Sequence, residues 1–171
     1  MKRKSWVILA ALLLLTGCAK NIENGVLLLE EEKYEEAIRV FQKDIEKGKH
    51  LDEAYRGMGL AHFEMEEYKE AAKALESALK NGAKKGATLY GVLGACYMEQ
   101  GLYEKTADTY KKALKQEDIT DELKQEIEYN LIGVYEKLYD WDNAKKQAEK
   151  YAEDYPDDAK ADKEVQFLET R

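Results

Sequence analysis

Apolar and polar positions repeat along this chain at a nearly constant interval. Four segments share a small or apolar first residue, an aromatic residue nine positions later and a small residue three positions after that. The aromatic residues are Tyr34, Tyr68, Tyr103 and Trp141, so the successive intervals are 34, 35 and 38 residues. Apolar residues inside each segment recur at spacings of three and four, which is typical of amphipathic helices and not of strands. The pattern therefore predicts a helix, a turn and a second helix, repeated four times.

These residues and their spacing resemble the tetratricopeptide repeat family over nearly all of the chain after residue 17. The pairs Met58-Gly59 and Leu93-Gly94 match the family's Leu-Gly pair, and Tyr97 matches its later tyrosine. The resemblance implies an all-α superhelical solenoid of about four helix-turn-helix repeats plus a C-terminal capping helix. The implied repeats are residues 18–51, 52–86, 87–124 and 125–156, and the implied cap is 157–171.

Small residues at shared positions have a packing role, because two helices approach closely only where their side chains are small. The positions concerned are Gly25, Ala37, Gly59, Ala71, Gly94 and Ala144. Repeat one carries Asp44 where repeat two has Ala78, so its second helix is predicted to be only partly covered. Repeat four has Ala148 at the usual bulky position and Tyr151 at the usual small one. We interpret this exchange as repacking, since the total volume is conserved.

Helix ends are marked by ordinary start and stop residues. Gly48 and Gly82 follow basic turns and are predicted to end helices, whereas Thr120 before two acidic residues is predicted to begin one. The segment after Pro156 has apolar residues at helical spacing among charges, as expected of a capping helix that covers the last repeat.

The N-terminus has the pattern of an export signal. Three basic residues precede ten apolar residues, Trp6 to Leu15, and the small residues Thr16 and Gly17 then lead to Cys18. A membrane-spanning helix needs roughly 20 apolar residues, so this run is too short to cross a bilayer. We expect it to direct export.

The sequence Leu15-Thr16-Gly17-Cys18 resembles the lipobox of bacterial lipoproteins. The resemblance implies that residues 1–17 are removed and that Cys18 carries a diacylglyceryl group. Two acyl chains hold a protein stably on a membrane. The expected location is the extracytoplasmic side of the cell membrane, or the periplasmic side of the outer membrane in a host with two membranes. An ordinary secretory signal is the alternative.

Composition argues against several classes of function. The net charge of −8 opposes binding to nucleic acid. Ser77 is the one serine after the signal, and no spacing of nucleophile and base or of metal ligands occurs. His62 replaces a repeat tyrosine, and Cys96 is predicted to pack as a small hydrophobic residue. We therefore expect no enzymatic activity, no cofactor, no metal site and no small-molecule substrate.

A second stripe on the first helix of each repeat suggests a binding surface. Arg56, Leu60 and Phe63 are four and three positions apart, so they share one helix face. In the family this face lines the concave groove. The candidate groove residues are Arg56, Leu60, Phe63, Glu64, Ala95, Met98, Glu99 and Tyr129. The predicted groove is apolar at its centre and edged by glutamates, which favour a ligand with basic flanks. Alternatively, these residues pack mostly against neighbouring repeats, with Phe63 closing a gap over Ala95.

Two functions are consistent with this pattern. The first is a non-enzymatic adaptor that is anchored through its lipid and binds an exported or envelope protein, as a peptide or a helix, in the groove. The second is a permanent subunit of an envelope assembly machine, similar to the tetratricopeptide lipoproteins of outer-membrane or pilus biogenesis. The second function requires an interface on the convex face, where Tyr110, Tyr139 and Tyr155 are candidates.

Overall fold

A computed structural model describes residues 20–171 of the chain, and over this range the backbone forms nine α-helices and no strand. The helices are α1 (Lys20–Glu30), α2 (Tyr34–Glu46), α3 (Leu51–Glu64), α4 (Tyr68–Lys80), α5 (Ala87–Glu99), α6 (Tyr103–Ala113), α7 (Asp121–Lys137), α8 (Trp141–Asp154) and α9 (Ala161–Glu169). Within the same range, no helix has both the length and the apolar character that crossing a membrane requires. The export signal and Cys18 lie outside the described residues.

The helices are arranged as a solenoid of antiparallel pairs. Each of the pairs α1–α2, α3–α4, α5–α6 and α7–α8 packs closely, and the second helix of each pair also contacts the first helix of the next. The first helices α1, α3, α5 and α7 contact one another in series, and α9 packs on α8. This is the all-α solenoid of four helix pairs and a capping helix that the sequence pattern predicted.

Glycines on the first helices allow each of the first three pairs to approach closely. A Cβ atom added to Gly59 would lie 2.6 Å from the Leu75 side chain, and one added to Gly94 would lie 2.5 Å from the Tyr110 ring. Gly25 faces the ring of Phe41 in the same way. These distances are far below van der Waals contact. The predicted role of the small residues is therefore confirmed.

Repeat four uses the opposite arrangement of sizes. The bulky residue is Ile132 on the first helix, and the facing position on the second helix is Ala148; both are buried. Tyr151 is also buried, and its ring centroid lies 5.4 Å from that of Tyr129 and 4.8 Å from that of Tyr155. The exchange is thus a repacking, as predicted. Gly133 has no other atom within 4 Å of an added Cβ, so it makes no close helix contact.

Turns inside the repeats require left-handed backbone at one shared position. In repeats one to four this position is occupied by Glu32, Glu66, Gly101 and Tyr139, whose φ angles lie between 57° and 72°. Between repeats, Gly48 (φ 64°) and Gly82 (φ 96°) follow the ends of α2 and α4, which confirms them as helix stops.

One predicted repeat boundary falls inside a helix. The fourth repeat was expected to begin at Gln125, but α7 begins at Asp121. The hydroxyl oxygen of Thr120 accepts a hydrogen bond from the Leu123 N–H at 3.3 Å and caps the helix, as Thr120 was predicted to do. Because Thr120 caps α7 at this point, the helix begins four residues, about one turn, before the expected repeat start at Gln125.

Asp44 differs from the sequence expectation. It is only 3% exposed, so the second helix of repeat one is covered at this position. The Asn21 side-chain amide donates a hydrogen bond of 2.6 Å to Asp44 Oδ1, whereas Asp44 Oδ2 has no hydrogen-bond partner. A polar neighbour on α1 thus replaces the apolar contact that alanine makes in the later repeats.

A helix glycine that faces a bulky side chain and one that faces open space give opposite predictions for substitution by alanine. Gly94→Ala should lower the free energy of unfolding by about 1–3 kcal/mol, because the new methyl group overlaps the buried Tyr110 ring. Gly133→Ala should raise it by about 1 kcal/mol, because alanine favours the helix and meets no atom. Urea denaturation of both variants measures the difference. Equal effects of the two substitutions would show that the glycine contact does not govern helix packing.

Candidate functional site

The concave side of the solenoid contains a small pocket between repeats two, three and four. Its volume is about 40 Å³, enough for a few water-sized groups. Apolar side chains form its floor, and the polar side chains of Glu126 and Asn130 stand beside them. The lining residues are Phe63, Gly91, Val92, Ala95, Tyr110, Leu123, Glu126, Ile127 and Asn130.

Phe63 and Ala95 are the two predicted groove residues that the structure brings together in this pocket. Phe63 is 8% exposed, and its ring makes an edge contact with Tyr68 at a centroid distance of 5.9 Å. It therefore packs against its own repeat while one edge lines the pocket. The pocket remains open because Gly91 and Ala95 are small. A Cβ at Gly91 would lie 3.3 Å from Leu123.

Leu60 and Arg56 are corrections to the predicted groove. Leu60 is 3% exposed and Arg56 is 7% exposed, so both lie in the contact between repeats instead of on a ligand-binding surface. Burial lowers the pKa of Arg56, while the negative charges of Asp118, Glu53 and Asp52 act in the opposite direction. Helix periodicity gave the correct face for both residues but could not show that the neighbouring repeat covers it.

Asp118 is a structural residue that the sequence pattern did not reveal. Its Oδ1 atom accepts a hydrogen bond of 2.8 Å from the Ala87 N–H, so it satisfies the first turn of α5 from the loop before α7. Gly86 permits this approach, since an added Cβ would lie 2.6 Å from Asp118 Oδ2. Together with its negative charge near Arg56, this contact connects repeats two and three.

Met98 and Tyr129, two further predicted groove residues, lie outside the lining of the pocket. Met98 is half-buried, and the Tyr110 hydroxyl lies 3.9 Å from its sulfur. Tyr129 is also half-buried, and its hydroxyl donates a hydrogen bond of 2.9 Å to Glu164 Oε1 on α9. Burial, followed by the interaction with Glu164, raises the pKa of Tyr129 to about 12. The capping helix therefore closes over part of the Tyr129 side chain.

The acidic edge of the groove is larger than predicted. Glu64 is half-buried and Glu99 is exposed at the ends of α3 and α5, as the first helices place them. Sequence equivalence already places Glu136 on this face of repeat four; the structure adds Glu126, at the pocket, and Glu164 of the capping helix, whose charge acts on Glu136. The signal for Glu126 and Glu136 was present in the sequence, because both lie on the same face of α7 as Tyr129.

The proposed convex interface loses two of its three tyrosines. Tyr110 is 2% exposed and lines the concave pocket, because its ring lies over Gly94. The Tyr155 hydroxyl donates a hydrogen bond of 2.8 Å to the buried Glu128 carboxylate. Tyr139 alone among the three is largely exposed, at 78%. Tyr110 is therefore part of the protein interior, and the half-buried Tyr155 has its hydroxyl engaged with Glu128.

His62 and Cys96 occupy structural positions. His62 is half-buried, and its Nδ1 atom lies 2.6 Å from Glu67 Oε2. Cys96 is fully buried, and burial raises the pKa of its thiol to about 12. Over the part of the chain that the structure describes, no three His, Cys, Asp or Glu side chains gather in a group that could hold a metal ion.

Comparison with known proteins agrees with this architecture. Family models of the tetratricopeptide repeat match residues 56–122 and 128–158. The TPR repeat-containing protein YsoA of Bacillus subtilis (strain 168) is 26% identical over 136 residues, which are 80% of this chain and 40% of that protein. The chain thus spans well under half the length of this relative.

Solved structures of similar fold include YrrB, described as a TPR protein with an unusual peptide-binding site. Its TM-score is 0.75 at 22% identity, with 86% of this chain and 74% of that chain covered. A structure of the MamA protein has a TM-score of 0.74 at 17% identity, with 86% of this chain and 78% of that chain covered. These likenesses establish a shared fold.

Proposed function

The chain is a tetratricopeptide repeat protein, and on this basis we propose that its concave groove binds a peptide or a helix of another protein. The observation that carries the proposal is the pocket between α3, α5 and α7, which has an apolar floor and polar groups beside it. Sites of this composition orient a ligand through a few polar contacts and gain free energy from the apolar ones. The peptide-binding site ascribed to YrrB supports this use of the fold.

The size of the pocket limits what enters it. A volume of about 40 Å³ accepts only a few water-sized groups, so the ligand places a small apolar side chain there instead of an aromatic one. Further apolar contact comes from Met98 and the exposed edge of Tyr129 along the same groove. Because the anchor is small, we expect affinity in the micromolar range, where shallow peptide contacts commonly lie.

The protein acts in this proposal as an adaptor without a catalytic step. The groove holds a partner, and the location of the protein determines where the partner is concentrated. We place the adaptor on the outer side of a bacterial membrane, bound to an exported or envelope protein. The support for this location is the N-terminal pattern of basic residues, a short apolar run and Cys18.

Blocking the pocket tests the groove. Peptides are first selected from a phage-displayed library of random 12-residue sequences against the full chain in detergent. Ala95→Arg should then weaken binding of the selected synthetic peptides by at least about tenfold, because the longer side chain fills the pocket. Isothermal titration measures the affinity, and thermal unfolding verifies that the variant is folded.

Ala159→Arg is the matched control, because Ala159 is exposed and lies outside the helices. It should leave the affinity unchanged. The groove proposal is wrong if the selected peptides bind the folded Ala95→Arg variant as tightly as they bind the control.

The lipid anchor has an independent test. Protein purified from the membrane fraction of its native host should have an intact mass that corresponds to a chain starting at Cys18 plus two or three acyl chains. A Cys18→Ala variant should lack this added mass and leave the membrane fraction. An unmodified wild-type chain that retains Met1 would contradict the anchor without affecting the groove.

A further inference from the structure

One face of α7 continues the groove from the pocket to the capping helix. Glu126, Tyr129, Gly133 and Glu136 are spaced three, four and three residues apart, so they form one stripe along the helix. The stripe begins at the pocket, which Glu126 lines. Ten residues of helix separate its ends, a distance of about 15 Å. This surface extends the site well beyond the small apolar pocket.

Glu136 ends the stripe with an unsatisfied carboxylate oxygen. Its Oε1 atom is buried and has no hydrogen-bond partner. Burial raises the pKa of Glu136, the charge of Glu164 raises it further, and Lys137 and Arg171 act in the opposite direction. This oxygen is covered, but the Glu136 side chain as a whole is only half-buried, so a ligand can still approach its negative charge.

The capping helix holds a second carboxylate near Glu136. Glu164 on α9 accepts the hydrogen bond from the Tyr129 hydroxyl, which fixes its position over α7. Two of the nearby cations are engaged with aromatic rings. The Arg171 guanidinium lies 4.7 Å from the Phe167 ring centroid and 5.8 Å from that of Trp141. Lys160 Nζ lies 5.0 Å from the Tyr129 ring centroid.

Gly133 leaves space beside this pair. It precedes Glu136 by three residues on the same face, and an added Cβ would meet no atom within 4 Å. The open space at Gly133 and the negative charges of Glu136 and Glu164 therefore lie together on this part of α7. A cationic group that donates hydrogen bonds has the matching chemistry.

We propose that the partner's peptide places a lysine or arginine side chain between Glu136 and Glu164, over Gly133, while its small apolar residue occupies the pocket. This inference rests on the proposed function and names the chemistry of the partner: a basic segment. Asn130, at the pocket, is six residues before Glu136, so the two subsites are about 9 Å apart or slightly more along α7. Three or four residues of an extended peptide cover that distance.

The peptides selected on the full chain provide the test. Peptides whose binding is lost in Ala95→Arg should contain a lysine or arginine three or four positions from a small apolar residue. Replacement of that basic residue by alanine should weaken binding by about tenfold, and Glu136→Gln should do the same. Thermal unfolding of Glu136→Gln should show no loss of stability, since the substitution removes a poorly solvated charge.

Two controls separate this inference from general electrostatics. Glu149→Gln, on the exposed surface of α8, removes the same charge away from the groove and should leave affinity unchanged. Glu136→Lys should weaken the basic peptide, and a peptide with glutamate at the basic position should recover binding to this variant. A double-mutant cycle over these four combinations isolates the pairwise contact.

The outcomes distinguish the inference from the function on which it rests. Groove-dependent peptides without a basic residue, or peptides that bind Glu136→Gln as tightly as wild type, overturn the cation site and leave the groove intact. Selection that yields no peptide sensitive to Ala95→Arg overturns the groove itself, and the cation site with it.

Discussion

The close contact between a helix glycine and a bulky side chain on the second helix determines the geometry of the first three repeats. Gly25, Gly59 and Gly94 receive Phe41, Leu75 and Tyr110 at distances that no Cβ could tolerate. Because the pairs are this close, the first helices can contact one another in series along one side of the solenoid. The concave face is a consequence of that stacking, and its shape depends on which side chains remain between the stacked helices.

Repeat four shows how a small sequence change moves a glycine out of the helix contact and onto an open surface. Leu93-Gly94 in repeat three directs glycine toward the second helix, whereas Ile132-Gly133 moves the glycine one position along the chain. One residue corresponds to about 100° of rotation around a helix, so Gly133 faces the groove. Ile132 and Ala148 restore the helix contact with the sizes reversed. The repeat is therefore still packed, and the groove gains open space beside Glu136.

The fold was predictable from the sequence because the repeat period and the helix period are both local patterns. The groove was only partly predictable. The pattern identified the face that carries Phe63, Ala95 and Tyr129, but exposure on that face depends on the adjacent repeat. Leu60 and Arg56 are covered for this reason. The prediction that Tyr110 lies on the convex side is wrong, because Tyr110 occupies the repeat position of Phe41 and Leu75 and its ring packs over a helix glycine in the same way.

Binding of ligands on the side formed by the first helices is tested most directly by amide and methyl chemical shifts of the isotope-labelled full chain, recorded during titration with a selected peptide. If ligands bind there, the largest changes should occur at Phe63, Ala95 and Gly133, on α3, α5 and α7. Changes confined to the second helices α4, α6 and α8 would contradict binding on this side and would place the interaction on the convex face.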